Sequence, residues 1–128
     1  MSVFRDSELA YLAGGRQLGR LATVGADGTP HVVPVAWIYN AVRDTIDIGG
    51  SDLAETKKFR DVARSGRVAI VIDDLEREDP WTPRGIEVRG RGEAIAMPTP
   101  LLRIHPERIV SWGLETRSSA RTVAPRQG

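Results

Sequence analysis

The sequence predicts a small antiparallel β-barrel of the α+β type, with about six strands and a few short helices. Three observations carry this expectation. Apolar and β-branched runs recur along most of the chain, separated by clusters of Gly, Pro, Asn and Asp. Only one long internal stretch, 51–64, changes to helical spacing. A chain of 128 residues has room for one core, and a twisted sheet of that size removes its exposed edges best by closure. One domain is therefore expected over 1–128.

The elements follow in order. Asp6 to Ala13 reads as a short helix, with Asp6 or Ser7 as cap, Glu8 in the first turn and Gly14-Gly15 as the stop. Arg20–Val24 and His31–Tyr39 read as two strands joined through Asp27-Gly28, a strong hairpin turn. Thr45–Gly49 alternates apolar and polar residues and makes a third strand with one buried face. In the helical stretch, Asp52 and Glu55 suit a start, Phe59, Val62 and Ala63 share a face, and Ser65-Gly66 suits the end. Val68–Ile72 is an apolar strand, and a polar loop, 73–83, leads to the long alternating strand Gly85–Ala96, whose glycines predict bends or bulges. A last strand, Leu102–Leu114, contains Pro106, which predicts two short pieces or an edge position. The tail from about 118 to 128 is rich in Arg, Ser and Pro and is expected to be flexible.

Composition narrows the function. With 18 basic and 17 acidic residues, no global field points to nucleic acid or to a membrane surface. No apolar run approaches the roughly 18–20 residues that span a bilayer, and the first residues show no secretory pattern, so a cytoplasmic protein is expected. The absence of cysteine removes thiol catalysis and thiolate metal sites. His31 and His105 lie far apart in sequence without evident co-ligands, and no metal site is expected.

Three segments, taken in their order along the chain, are similar to a known family. They are Leu21-Ala22-Thr23-Val24 through Pro30-His31-Val32-Val33-Pro34-Val35, then Thr56-Lys57-Lys58-Phe59-Arg60-Asp61-Val62 with Arg67-Val68-Ala69, and finally 103–113. Together they resemble the pyridoxamine 5′-phosphate oxidase-like split barrels, and within them the actinobacterial deazaflavin-dependent branch. The resemblance covers 7–114. It implies a six-stranded split barrel and a homodimer that holds two flavin-type cofactors at the subunit interface. The ring would lie against the second strand, touching Val33, Pro34 and Val35, with Thr23 on the neighbouring strand. The cofactor phosphate would be gripped by Thr56, Lys57 and Lys58, in a motif that also contains Arg60.

Physical chemistry makes that grip reasonable. The start of a helix offers unpaired N–H groups and the positive end of a dipole, and a lysine or hydroxyl adds charge-assisted hydrogen bonds. The same residues also read as a solvated helix face, with Lys57 and Asp61 as an i,i+4 pair. Pro34 gives up a ladder hydrogen bond, which fits either a ligand-facing strand or a protected edge. Trp81, in a polar loop, and Trp112, near the end of the last strand, are large aromatics that reach a cofactor or partner subunit, or else simply pack.

No Ser-His-Asp set or carboxylate pair can be assembled, which suits a cofactor that brings its own chemistry. The resemblance implies that reduced F420 delivers a hydride to an activated double bond of a small organic substrate. It extends to a subgroup with reductases of tetracycline biosynthesis. An FMN-binding oxidoreductase of the same fold and a non-catalytic flavin or F420 carrier are the alternatives.

Overall fold

A computed structural model describes residues 1–14 and 18–125. The order is α1 (Asp6–Gly14), β1 (Gly19–Val24), β2 (Pro30–Val35), β3 (Ile38–Asn40), β4 (Thr45–Ile48), a 3-10 turn (Leu53–Glu55), α2 (Lys57–Ser65), β5 (Arg67–Arg77), β6 (Thr82–Ile95), β7 (Leu101–Trp112) and β8 (Ser119–Thr122). The strands form one antiparallel sheet in the order β2-β1-β5-β6-β7-β4-β3, with β8 added to β7. The two edges of that path, β2 and β3, are separated in the chain only by Ala36 and Trp37. Three peptide steps span at most about 11 Å, so the sheet must roll until its edges approach. The result is a barrel with a split between β2 and β3.

Inside the barrel, side chains alternate as strand geometry requires. Leu21 faces Ile70, Ile70 faces Val88, and Val88 faces Ile109 across β1, β5, β6 and β7, and all four are buried. Ile46, Ile48, Leu102 and Ile104 complete the interior, while Val62 of α2 closes one end and Phe4 and Leu12 the other.

Several expectations change in detail. The sheet has eight strands rather than six, because Ala36-Trp37 breaks the expected second strand in two and the tail supplies β8. The tail is ordered over 119–122 because Arg121 binds Glu8, which is fully buried, with Nη2 to Oε1 at 2.6 Å and Nη1 to Oε2 at 2.9 Å. Glu8 also accepts the Arg5 N–H at 2.8 Å, so Arg5, not Asp6 or Ser7, occupies the cap of α1. Gly15, the expected stop, lies outside the described residues. Asp52 takes a left-handed conformation before the 3-10 turn, and Thr56 caps α2 by accepting the Phe59 N–H at 3.3 Å. Gly66 ends α2 at φ 65°.

Pro106 neither splits β7 nor lies on an edge. Register shifts between Arg89 opposite Arg108 and Gly90 opposite Pro106, so the proline occupies a bulge. It falls where the partner of β7 changes from β4 to β8, between Ile104, paired with β4, and Arg108, paired with β8. Gly90 is required there, since a Cβ would collide with the carbonyl oxygen of His105.

Candidate functional site between the split and the start of helix α2

Gly25 donates its N–H to Thr29 O at 2.8 Å, which sets the alternation of the β1–β2 ladder. Counting from that bond, Pro34 opposite Arg20 falls at a position where N–H groups point away from β1. The missing N–H therefore lies at the open edge, and the ladder loses nothing. Pro34 and Val33 are exposed, whereas Val35 is buried opposite Gly19. Val33, Val35 and Thr23 belong to the inner face of the sheet and Pro34 to the outer, so these four residues do not share one surface.

At the start of α2 the polar groups are partly committed. The Thr56 hydroxyl donates to Leu53 O at 2.6 Å while it caps the helix. Arg60 donates to Glu55 O at 2.8 Å. Lys57 reaches Asp61 at 3.2 and 3.3 Å, which is the i,i+4 pair foreseen from spacing. Lys58 has no carboxylate partner among the described residues. The N–H groups of Lys57 and Lys58 begin the helix and have no helical acceptor.

Asp61 organises this region. Its side chain is buried, and it accepts from Thr23 at 3.2 Å, Lys57 at 3.2 Å and Arg64 at 3.2 Å. Burial pushes its carboxyl upward, but the bonds from Lys57 and Arg64 prevail and hold it below the usual aspartate range. Arg64 also donates to Val24 O. Thr23 pairs in register with His31 at the start of β2, so one buried carboxylate ties the basic helix start to the sheet beside the β2 strand.

A 440 Å³ pocket opens where the chain leaves β2 and where it leaves β4 for α2. Its walls are Ala36, Trp37, Ile38, Ile48, Pro100 and the bare backbone of Gly49 and Gly50, at which an added Cβ would meet nothing within 4 Å. Asp47 borders it, but Arg103 (3.1 and 3.2 Å), Asn40 (2.9 Å) and Thr45 (2.8 Å) saturate its carboxylate. Sequence reasoning missed this pocket; the Gly49-Gly50 pair ahead of the lysines was its only trace. A second pocket, of 490 Å³, lies on the outer face of β1, β5 and β6, over Ala22 and Ala69, with Arg67, Arg89 and Arg91 at its rim. Arg89 and Arg91 stand opposite Ala69 and Arg67 on this outer face and line the pocket.

Trp81 and Trp112 lie elsewhere. Trp112 packs over Gly85, whose Cβ would come within 2.8 Å of the indole, and Trp81, 72% exposed, stands at the β5–β6 hairpin tip. Thr23 is level with Val68 on β5 and the tip with Arg77, nine residues on, a distance of about 30 Å along the strand. Within one chain, Trp81 and the lysines are not brought together.

A family model described as pyridoxamine 5′-phosphate oxidase matches residues 6–124. The chain is 40% identical, over 98% of its length and 96% of the relative's, to a 5a,11a-dehydrotetracycline/5a,11a-dehydrooxytetracycline reductase of Streptomyces rimosus. Among solved structures, a conserved hypothetical protein from Mycobacterium tuberculosis superposes with TM-score 0.71 at 21% identity, covering 88% of this chain and 87% of that one. A protein described as an F420 reductase superposes with TM-score 0.63 at 20% identity, covering 84% and 98%.

Proposed function

Since the chain belongs to the pyridoxamine 5′-phosphate oxidase family, we propose that it is an oxidoreductase that binds a flavin-type cofactor, F420 in preference to FMN, and reduces a small organic substrate. The observation that carries the reading is the Asp61 bridge, which holds the basic start of α2 against β1, while an apolar pocket opens at Gly49 and Gly50, just ahead of α2 in the chain.

The residues present fit such a group. An indole, an isoleucine pair, a proline and two glycines form a slot for a flat ring, and glycine lets the ring approach the backbone closely. Six residues after Gly50, Thr56 opens α2, whose first N–H groups and Lys58 suit a phosphate. Lys57 serves both Asp61 and the anion, with Arg60 one turn further along the exposed side of the helix. Val33, Pro34 and Val35 lead the chain into the pocket through Ala36. When bound, the reduced cofactor supplies the hydride, and a proton completes reduction of the substrate double bond. The protein binds, orients and keeps water from the ring.

The relative at 40% identity, a dehydrotetracycline reductase, supports a substrate of the dehydrotetracycline type. On this reading the chain works as a homodimer, and only from a partner subunit could Trp81 approach a neighbouring cofactor. The test is anaerobic mixing of the protein with reduced F420 and 5a,11a-dehydrotetracycline. Oxidation of the cofactor with one substrate double bond lost per hydride is expected; no oxidation above the rate without protein would refute the substrate assignment.

A further inference from the structure

Helix α2 carries one charge that an anion-holding role does not ask for. Its residues include Lys57, Lys58, Arg60 and Arg64, and Asp61 is its one acid. The Asp61 side chain is 2% exposed, whereas those of Lys57 and Arg64 are 52% and 41% exposed. Both cations would therefore be hydrated without the carboxylate, and neither needs it as a partner. The Thr23 hydroxyl, at 3.2 Å from Oδ2, does need an acceptor, but the side-chain oxygen of an asparagine would serve it as well. Packing accounts for the shape of the side chain at position 61 and leaves its negative charge to be explained.

Lys57 supplies the explanation. It is the first residue of α2, and its Nζ reaches Asp61 Oδ1 at 3.2 Å and Oδ2 at 3.3 Å. Bound in this way, the ammonium is engaged one turn along from the free N–H groups at which an anion is held. An anion at the helix start and the Asp61 carboxylate thus compete for one ammonium. The carboxylate also repels the anion, and its burial weakens the screening of that repulsion. When Lys57 turns to the anion, Arg64 at 3.2 Å and Thr23 still satisfy Asp61, so the exchange leaves no buried charge without a partner.

We propose that Asp61 is a positioning residue for the cofactor anion. It holds Lys57 in reserve between ligands and moderates the grip on the phosphate, so that the oxidised cofactor is let go after it has given up its hydride. This rests on the reading of the α2 start as the cofactor phosphate site and adds to it the residue that sets the strength of the grip.

The test is titration of the purified full chain with F420, and in parallel with FMN, by fluorescence quenching at several salt concentrations. It compares the natural chain, Asp61→Asn, Lys57→Ala, the double variant and Arg64→Ala, with circular dichroism melts to report that each is folded. Asp61→Asn should bind the cofactor about three- to tenfold more tightly, and its affinity should fall more steeply with salt. Lys57→Ala should cost more affinity in the Asp61→Asn chain than in the natural one. A residue that only braces the helix gives the opposite sign, weaker binding together with a lower melting temperature. Arg64→Ala leaves Lys57 as the one cation on the carboxylate and should bind about threefold more weakly. A natural chain that binds neither F420 nor FMN would overturn the phosphate-site reading and this inference together. Binding by the natural chain, with a folded Asp61→Asn that binds no more tightly, would overturn the inference alone. Should Asp61→Asn not fold, unchanged binding by Arg64→Ala would overturn it.

Discussion

Arg121→Ala should destabilise the fold by about 3 kcal/mol, although the residue lies in a segment that composition marks as flexible. The magnitude comes from what the substitution leaves behind. Glu8 is fully buried and receives two bonds from Arg121, one from the Ser111 hydroxyl at 2.7 Å and one from the Arg5 N–H at 2.8 Å. Arg121 also donates to Val3 O at 2.9 Å, so it fastens the N-terminal segment, α1 and β8 together. Removing one partner of a buried pair typically costs about 3–5 kcal/mol, and the lower end applies because the Arg121 side chain is 22% exposed. For a domain of this size that corresponds to a melting temperature lower by on the order of 10 °C. The pH dependence fixes the cause. Burial pushes the Glu8 carboxyl up, but the bonds from Arg121, the Arg5 N–H and Ser111 hold it below the usual glutamate range. A depressed carboxyl contributes stability that is complete above its unfolded value and is lost as pH falls through the folded one. The gap between natural chain and variant, read by circular dichroism melts, should therefore be full at pH 7 and shrink at the acid end. A variant that melts within about 2 °C of the natural chain at pH 7 would refute the clamp.

Three further predictions concern the site. Lys58→Ala should lower cofactor affinity about ten- to a hundredfold, the value of a charge-assisted bond of roughly 1.5–3 kcal/mol, while the ligand-free melting temperature stays unchanged; equal affinity in a fluorescence titration would return this lysine to the solvated face. Lys57→Ala should lose comparable affinity and a little stability as well, since it also removes a bond to Asp61. Gly49→Leu should leave the ligand-free fold intact, because an added Cβ there meets open space, yet fill the 440 Å³ pocket and abolish cofactor binding. Full binding by a folded Gly49→Leu protein would remove the ring from that pocket.

The barrel was legible where local chemistry and the sheet agree. Asp27-Gly28 takes the turn, Gly66 ends α2 in the left-handed region, and the alternation from Leu21 through Ile109 forms the interior. What was not legible depends on contacts far apart in sequence. Glu8 and Arg121 are 113 residues apart, and neither reads as buried until the other is in place. Pro106 looks like a break in any single strand, and only the exchange of β4 for β8 along β7 makes room for it. At the site, spacing alone showed that Lys57 could meet Asp61, but not that Asp61 would be buried and would also hold Thr23. The pocket at Trp37, Gly49 and Gly50 escaped because its walls come from three separate segments and contain no motif.

The central claim, that this fold holds a deazaflavin in preference to a flavin, is tested most directly by titrating the purified protein with F420 and with FMN under identical conditions, following quenching of each ring's fluorescence. Saturable binding of both, tighter for F420 and weakened by Lys58→Ala, is the predicted result. Tighter binding of FMN would contradict the choice of cofactor, and binding of neither would contradict the site itself.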